Sequence, residues 1–173
     1  LEFRRVLFRS AVLKTKATVS VVFVPPIQAK SAVVEAISAG IKTIILVTKA
    51  IPEQDMAYLN YVAEQNQVCL IGPGSPGVYS VGESKAGVMP TKEFKKGKLG
   101  LITKSGTLTY ELTRLLTNRG IGQSTVVGIG NDFIAGTRFK ELLQLFEADP
   151  QTHQVLMQAN ANGIGEEIGR AHV

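Results

Sequence analysis

The feature that most constrains this chain is an alternation. Short apolar runs rich in β-branched residues are each followed by a longer segment with apolar residues at helical spacing. "ATVSVVFVPP" (Ala17–Pro26) is a β-branched run stopped by two prolines, and "AKSAVVEAISAG" (Ala29–Gly40) has the helical period and ends in glycine, a common helix stop. "TIILVT" (Thr43–Thr48) is apolar on both faces, as a buried parallel strand must be. "IPEQDMAYLNYVAEQNQ" then places Pro52 at a plausible first helical position with carboxylates in the first turn, where the helix dipole favours them. "VCLIG" is the next strand. The order β-α-β-α-β, joined by right-handed crossovers, predicts an α/β fold with a parallel sheet and helices on both faces.

The pattern breaks over "GPGSPGVYSVGESKAGVMPTKEFKKGK" (Gly72–Lys98), which has three of the seven prolines, five glycines before Gly97 and no helical period. It reads as a loop with short strands, ending in a charged linker near Lys92–Lys98 that marks a domain boundary. Alternation then resumes. A strand "LGLIT", a helix over Thr107–Asn118, a strand over Ser124–Gly130, a loop "NDFIAG", a helix over Arg138–Glu147 and a strand near "HQVLMQA" are expected.

At 173 residues and 45% hydrophobic content the chain can bury a substantial core. It has no apolar run near the roughly 20 residues that cross a bilayer, and its start lacks the order of a signal peptide. The net charge is +5, but three arginines and one glutamate fall in the first ten residues, so the remainder has only +3, too little and too dispersed for nucleic acid. The single cysteine, Cys69, precludes an internal disulfide and is expected to be a buried, inert thiol. Neither His153 nor His172 belongs to a spacing that would hold a metal.

Three strand ends could support chemistry. In "SGTLTYE", Ser105, Gly106 and Thr107 stand where a strand hands over to a helix. Glycine admits an anion to the backbone amides there, and the hydroxyls can cap the helix or meet phosphate oxygens. Plain N-capping would select the same residues, and no P-loop is present. "VGIGNDFIAG" allows the backbone to approach a ligand or a neighbour, though turn chemistry alone explains it. "LVTKAIP" places Thr48 and Lys49 at the end of a strand; a solvated loop lysine is the plainer account. "GPGSPG" reads as a rigid turn, with Ser75 lacking a base and so a poor nucleophile.

Taken together, "AGIKTIILVTKAIPEQDM", "LIGPGSPG", "SGTLTYE", "GQSTVVGIGND" and "LFEADPQT" resemble the α subunits of succinyl-CoA synthetase (succinate–CoA ligase), from about Ala11 to about Gly165. The resemblance implies the C-terminal part of a CoA-binding Rossmann-like domain (11–96), truncated at its N-terminus. The first half of a flavodoxin-like ligase domain (97–166) would follow, truncated at its C-terminus. "LFRS" (Leu7–Ser10) and "EIGRAHV" (Glu167–Val173) resemble translated sequencing-adapter sequence, so residues 1–10 and 167–173 are expected to be a non-native leader and tail.

The resemblance also implies chemistry: succinyl-CoA formed from succinate and coenzyme A at the expense of a nucleoside triphosphate, through a phosphohistidine. Mg and ATP or GTP would sit on a partner β subunit, in a heterodimer or heterotetramer, in the cytoplasm or, in a eukaryote, the mitochondrial matrix. Val47, Thr48 and Lys49 match a segment that touches CoA. Ser105, Gly106 and Thr107 match the helix start that stabilises the phosphohistidine, and Tyr110 matches a residue at the substrate site shared with the β subunit.

Departures accompany these matches. The glycine-rich CoA phosphate loop and the phosphorylated histidine have no counterpart, so the chain alone is expected to be inactive. Lys49 replaces a usual glutamate, Gly74-Ser75 replaces Asn-Cys, and Asn160 stands where a glutamate orienting the histidine is expected. Other acyl-CoA ligases of the superfamily, of the ADP-forming acetate or citrate lyase type, and a non-catalytic CoA-binding module are the alternatives.

Overall fold

The computed structural model describes residues 2–159; Leu1, Asn160, His172 and the Glu167–Val173 tail lie outside the described residues. The chain opens with helix α1 (Glu2–Thr15), from which Val12 is buried and Phe8 packs on the first core. Strands β1 (Val19–Val22), β2 (Thr43–Leu46) and β3 (Cys69–Ile71) then form a parallel sheet in the order β1-β2-β3. Helices α2 (Pro26–Ser38) and α3 (Glu53–Gln65) cross between them. Pro26 takes the first turn of α2, where its missing N–H costs nothing, while Pro52 is the residue just before α3 rather than its first helical position.

Both α2 and α3 cover one face of this sheet. Ala29, Val33 and Ala36 of α2 and Met56, Leu59 and Ala63 of α3 pack on Ile44, Leu46 and Leu70. The alternate strand residues Ile45, Val47 and Ile71 point the other way. This is the period of two that a strand apolar on both faces requires.

The second sheet has the order β5-β4-β7-β6-β8, from β4 (Gly77–Ser80), β5 (Ser84–Gly87), β6 (Lys96–Thr103), β7 (Gln123–Gly128) and β8 (Gln154–Gln158). Strands β7, β6 and β8 run parallel, as expected, with α4 (Gly106–Asn118) and α5 (Phe139–Glu147) between them. The Gly72–Lys98 stretch contributes an antiparallel hairpin, β4–β5, whose first strand pairs antiparallel with β7. By hydrogen bonding, residues 77–87 therefore belong to the second sheet, although they precede the charged linker.

The two sheets share one core: Ile45, Val47 and Ile71 of the first meet Ile102, Val127 and Ile129 of the second, closed by Phe139, Leu142 and Phe146 around α5. On the opposite face of the second sheet a smaller cluster of Met89, Leu101 and Val126 holds α4 through Tyr110 and Leu112. Among the described residues no helix is long and apolar enough to cross a membrane and no group of side chains is arranged to hold a metal ion.

Candidate functional site

The segments singled out from the sequence meet at one edge of the molecule, where β2, β3, β6 and β7 all end. The Gly72–Gly77 turn binds these ends together. Its Gly72–Pro73 peptide is cis. Gly74 N–H donates to the Thr48 carbonyl (2.9 Å) and Ser75 N–H to the Leu46 carbonyl (3.1 Å), which ties the turn to β2. The Ser75 hydroxyl donates to the Gly128 carbonyl (2.6 Å) and accepts from Gly77 N–H (3.0 Å), which ties it to β7. Ser75 is buried with its hydroxyl fully engaged, in keeping with a rigid turn and not a nucleophile.

The glycines of "VGIGNDFIAG" serve this packing. Gly130 has φ +94°, and a Cβ there would overlap the Pro73 carbonyl oxygen; a Cβ on Gly128 would overlap the Pro76 ring. The close approach that the sequence left open between ligand and neighbour is made by the chain to itself.

Val47, Thr48 and Lys49 occupy the end of β2 and differ in what they can offer. Val47 is buried in the shared core, and its N–H donates to the Val22 carbonyl (2.9 Å). The Thr48 hydroxyl is buried too, donating to the Val24 carbonyl (2.7 Å) and accepting from Val24 N–H (3.2 Å), so it pins the segment leaving β1. Lys49 alone has an exposed side chain. It lies against Gly74, whose added Cβ would stand 3.1 Å from the Lys49 Cγ and 3.5 Å from Asp132 Oδ1. Asp132 in turn accepts from Ala50 N–H (3.2 Å). Lys49, Met56, Pro73, Asp132 and Phe133 line a cavity of about 360 Å³ at this edge. One exposed cation, Lys49, and an exposed aromatic ring, Phe133, border this cleft, while the Thr48 hydroxyl is already spent.

At the end of β6, Ser105 caps α4 in extended conformation, its hydroxyl accepting from Leu108 N–H (3.3 Å). Thr109 returns to the Ser105 carbonyl through both its N–H (3.0 Å) and its hydroxyl (2.7 Å), and also bonds the Thr103 hydroxyl. Capping is thus one real role of Ser105. Gly106 and Thr107 go further, because the first N–H groups of a helix have no partner within it. Among the described residues no acceptor meets the N–H of either. A Cβ on Gly106 would meet nothing nearer than the Pro76 ring at 3.8 Å among the described residues, so there is room beside Gly106. Thr107 is exposed.

Tyr110 lies one turn on and faces inward, half-buried against Met89, Leu101 and Val126, and burial pushes its phenol above the ordinary value. Its ring belongs to the packing that holds α4 more than to the open edge. His153 is exposed beside the start of β8, the end of the sheet opposite to the α4 N-terminus.

Two contacts at this edge were not read from the sequence. Val24 is held by Thr48, and the Gln158 side chain, at the last position of β8, accepts from Lys104 N–H (3.2 Å) and Ser105 N–H (3.3 Å). A polar residue closing the otherwise apolar run "VLM" was the available signal for the second.

Two family models match separate parts of the chain. Residues 7–50, which include β1 and the end of β2, match the CoA binding domain, and residues 102–171, which include α4, match the CoA-ligase family. Succinate–CoA ligase [ADP-forming] subunit alpha 2 of Archaeoglobus fulgidus is 44% identical over 160 residues, 92% of this chain and 56% of that protein. The corresponding alpha subunit of Aquifex aeolicus is 42% identical over 167 residues, 95% of this chain and 55% of its own length. Among solved structures, ATP citrate lyase from Methanothrix soehngenii, in complex with citrate and coenzyme A, shares the fold with a TM-score of 0.77 at 20% identity, over 85% of this chain and 25% of that one. The chain spans about half the length of the curated relatives it matches. It belongs to the family of succinate–CoA ligase α subunits, of which it carries stretches of the CoA-binding and CoA-ligase domains.

Proposed function

We propose that the chain is part of an α subunit that joins succinate to CoA as a nucleoside triphosphate is consumed, and that its own share of that work is done at the strand-end edge. The observation that carries this reading is the α4 N-terminus. Gly106 and Thr107 present two amides that meet no acceptor among the described residues, at the positive end of a 13-residue helix. Backbone donors fixed before an anion arrives stabilise phosphoryl charge without reorganising. Ser105 orients the turn, Gly106 keeps it clear, and the exposed Thr107 hydroxyl adds a third donor. Tyr110, one turn along α4 with its ring packed on Met89, Leu101 and Val126, would meet the acid substrate at a site shared with the β subunit.

CoA would lie along the β2–β3 edge, with Lys49 meeting an anionic part of it and the Val47–Lys49 backbone as its floor. Its thiol would supply the acyl acceptor. The division of the chain at residues 96 and 97, a β subunit bearing Mg and ATP or GTP, and a phosphohistidine contributed by the rest of the subunit complete the proposal. His153 is at the wrong end of the sheet for that role.

The test is an amide-resolved titration of the 173-residue chain with CoA and, separately, with inorganic phosphate. CoA should move the resonances of Val47–Lys49 and phosphate those of Gly106 and Thr107. If neither does so, the reading fails. A non-catalytic CoA-binding module, favoured by Lys49 and Asn160 where glutamates are usual, would respond to CoA alone.

A further inference from the structure

We infer that Gln158 is a positioning residue for the anion site at the α4 N-terminus; the inference rests on the reading of that terminus as a phosphoryl site.

Two residues, Lys104 and Ser105, stand just before the helix. Lys104 and Ser105 present N–H groups that belong to no helical ladder, and left loose they would swing the turn or compete for the anion. The Gln158 Oε1 accepts from both, at 3.2 Å and 3.3 Å, and Lys104 N–H also reaches the Gln158 backbone carbonyl at 3.2 Å. The carboxamide nitrogen donates to the Ala159 carbonyl (3.1 Å), which leaves the oxygen turned to the amides.

Register explains how a residue 53 positions away arrives there. Gln158 is the last residue of β8 and pairs with Thr103, the last of β6, so the neighbouring strand delivers the side chain to the same edge of the sheet. Donors are thereby sorted. Lys104 and Ser105 give theirs to Gln158, Leu108 gives its own to the Ser105 hydroxyl, and Gly106 and Thr107, whose N–H groups meet no acceptor among the described residues, are left for the ligand. A neutral acceptor suits the position: a carboxylate would make the same two bonds but repel an anion a few ångströms away.

The probe is inorganic phosphate, followed through the Gly106 and Thr107 amide resonances of the whole chain, with hydrogen exchange at Lys104 and Ser105 as the second readout. Gln158→Leu removes the acceptor: exchange at both amides should quicken, and the phosphate dissociation constant should rise on the order of ten-fold, the loss expected for a hydrogen-bonded group of this kind. Gln158→Glu keeps the acceptor and should keep the protection, yet bind phosphate at least as weakly, a split that a merely structural role would not produce. Wild-type phosphate affinity in both variants overturns the inference. If the wild-type chain itself gives no phosphate response, the phosphoryl reading of α4 falls and takes the inference with it, an outcome distinct from an unchanged affinity in the variants.

Discussion

The Ser75 hydroxyl donates to the Gly128 carbonyl at 2.6 Å, joining the turn that leaves the first sheet to the strand end of the second. One buried hydroxyl, which also accepts from Gly77 N–H at 3.0 Å, therefore helps fix how the CoA-binding and ligase parts meet. Ser75→Ala would leave a buried carbonyl and a buried N–H without partners. The expected loss is about 2 kcal/mol, the cost of stranding buried polar groups. It should be read as a lowered urea midpoint, and an unchanged midpoint would show that water replaces the hydroxyl.

Two glycines at this edge make opposite predictions. Gly130→Ala forces a Cβ into the Pro73 carbonyl oxygen at φ +94° and should prevent or severely weaken folding. Gly106→Ala meets only the Pro76 ring at 3.8 Å and should leave the melting temperature within a few degrees of wild type. Its methyl group would instead stand beside the amides and weaken phosphate binding there. Circular dichroism melts together with the phosphate titration separate the two, and equal melts for both variants would refute the steric account.

How much of this was legible in advance depended on the range over which each cause acts. The strand and helix segments show through because burial on both faces leaves continuous apolar runs such as "TIILVT", and Ile44 and Ile45 do point to opposite cores. The α4 N-terminus was legible because capping is local, and Ser105 caps as its type suggests. The hairpin's place was not, since glycine and proline in Gly72–Lys98 mark turns without saying which sheet takes the strands between them; β4 pairs with a strand some 45 residues later. Nor could sequence spacing give the use of the Thr48 hydroxyl by Val24, or that of Lys104 and Ser105 by Gln158, because those partners meet only when strands pair.

Thr48 and Lys49 are adjacent and should behave as different kinds of residue. Thr48→Val keeps the shape but strands the Val24 carbonyl and N–H, so stability should drop by about 1–2 kcal/mol. Lys49→Ala removes an exposed side chain and should change stability by no more than about 0.5 kcal/mol. In the CoA titration the order reverses, Lys49→Ala losing affinity and Thr48→Val retaining it once both are folded. Retained CoA affinity in Lys49→Ala would remove Lys49 from the binding edge.

Cys69 is half-buried, its Sγ 3.4 Å from the Thr137 hydroxyl, and burial pushes its thiol above the ordinary value of 9.0. The folded chain therefore holds this proton where the unfolded chain gives it up, and the unfolded state binds fewer protons as the medium becomes alkaline. The corresponding stability is fully present below about pH 9 and is lost as pH rises through the folded value. Tyr110, raised by burial from 10.0, adds a decline of the same sign at higher pH. Urea midpoints should thus be level from pH 7 to 8 and fall above pH 9, with the fall reduced in Cys69→Ala. At pH 8 the thiol of the native chain should react with a disulfide reagent much more slowly than that of the urea-unfolded chain, since the thiolate is the reacting form. Equal rates in the two states would mean that Cys69 is open to solvent and that its thiol is not raised by burial.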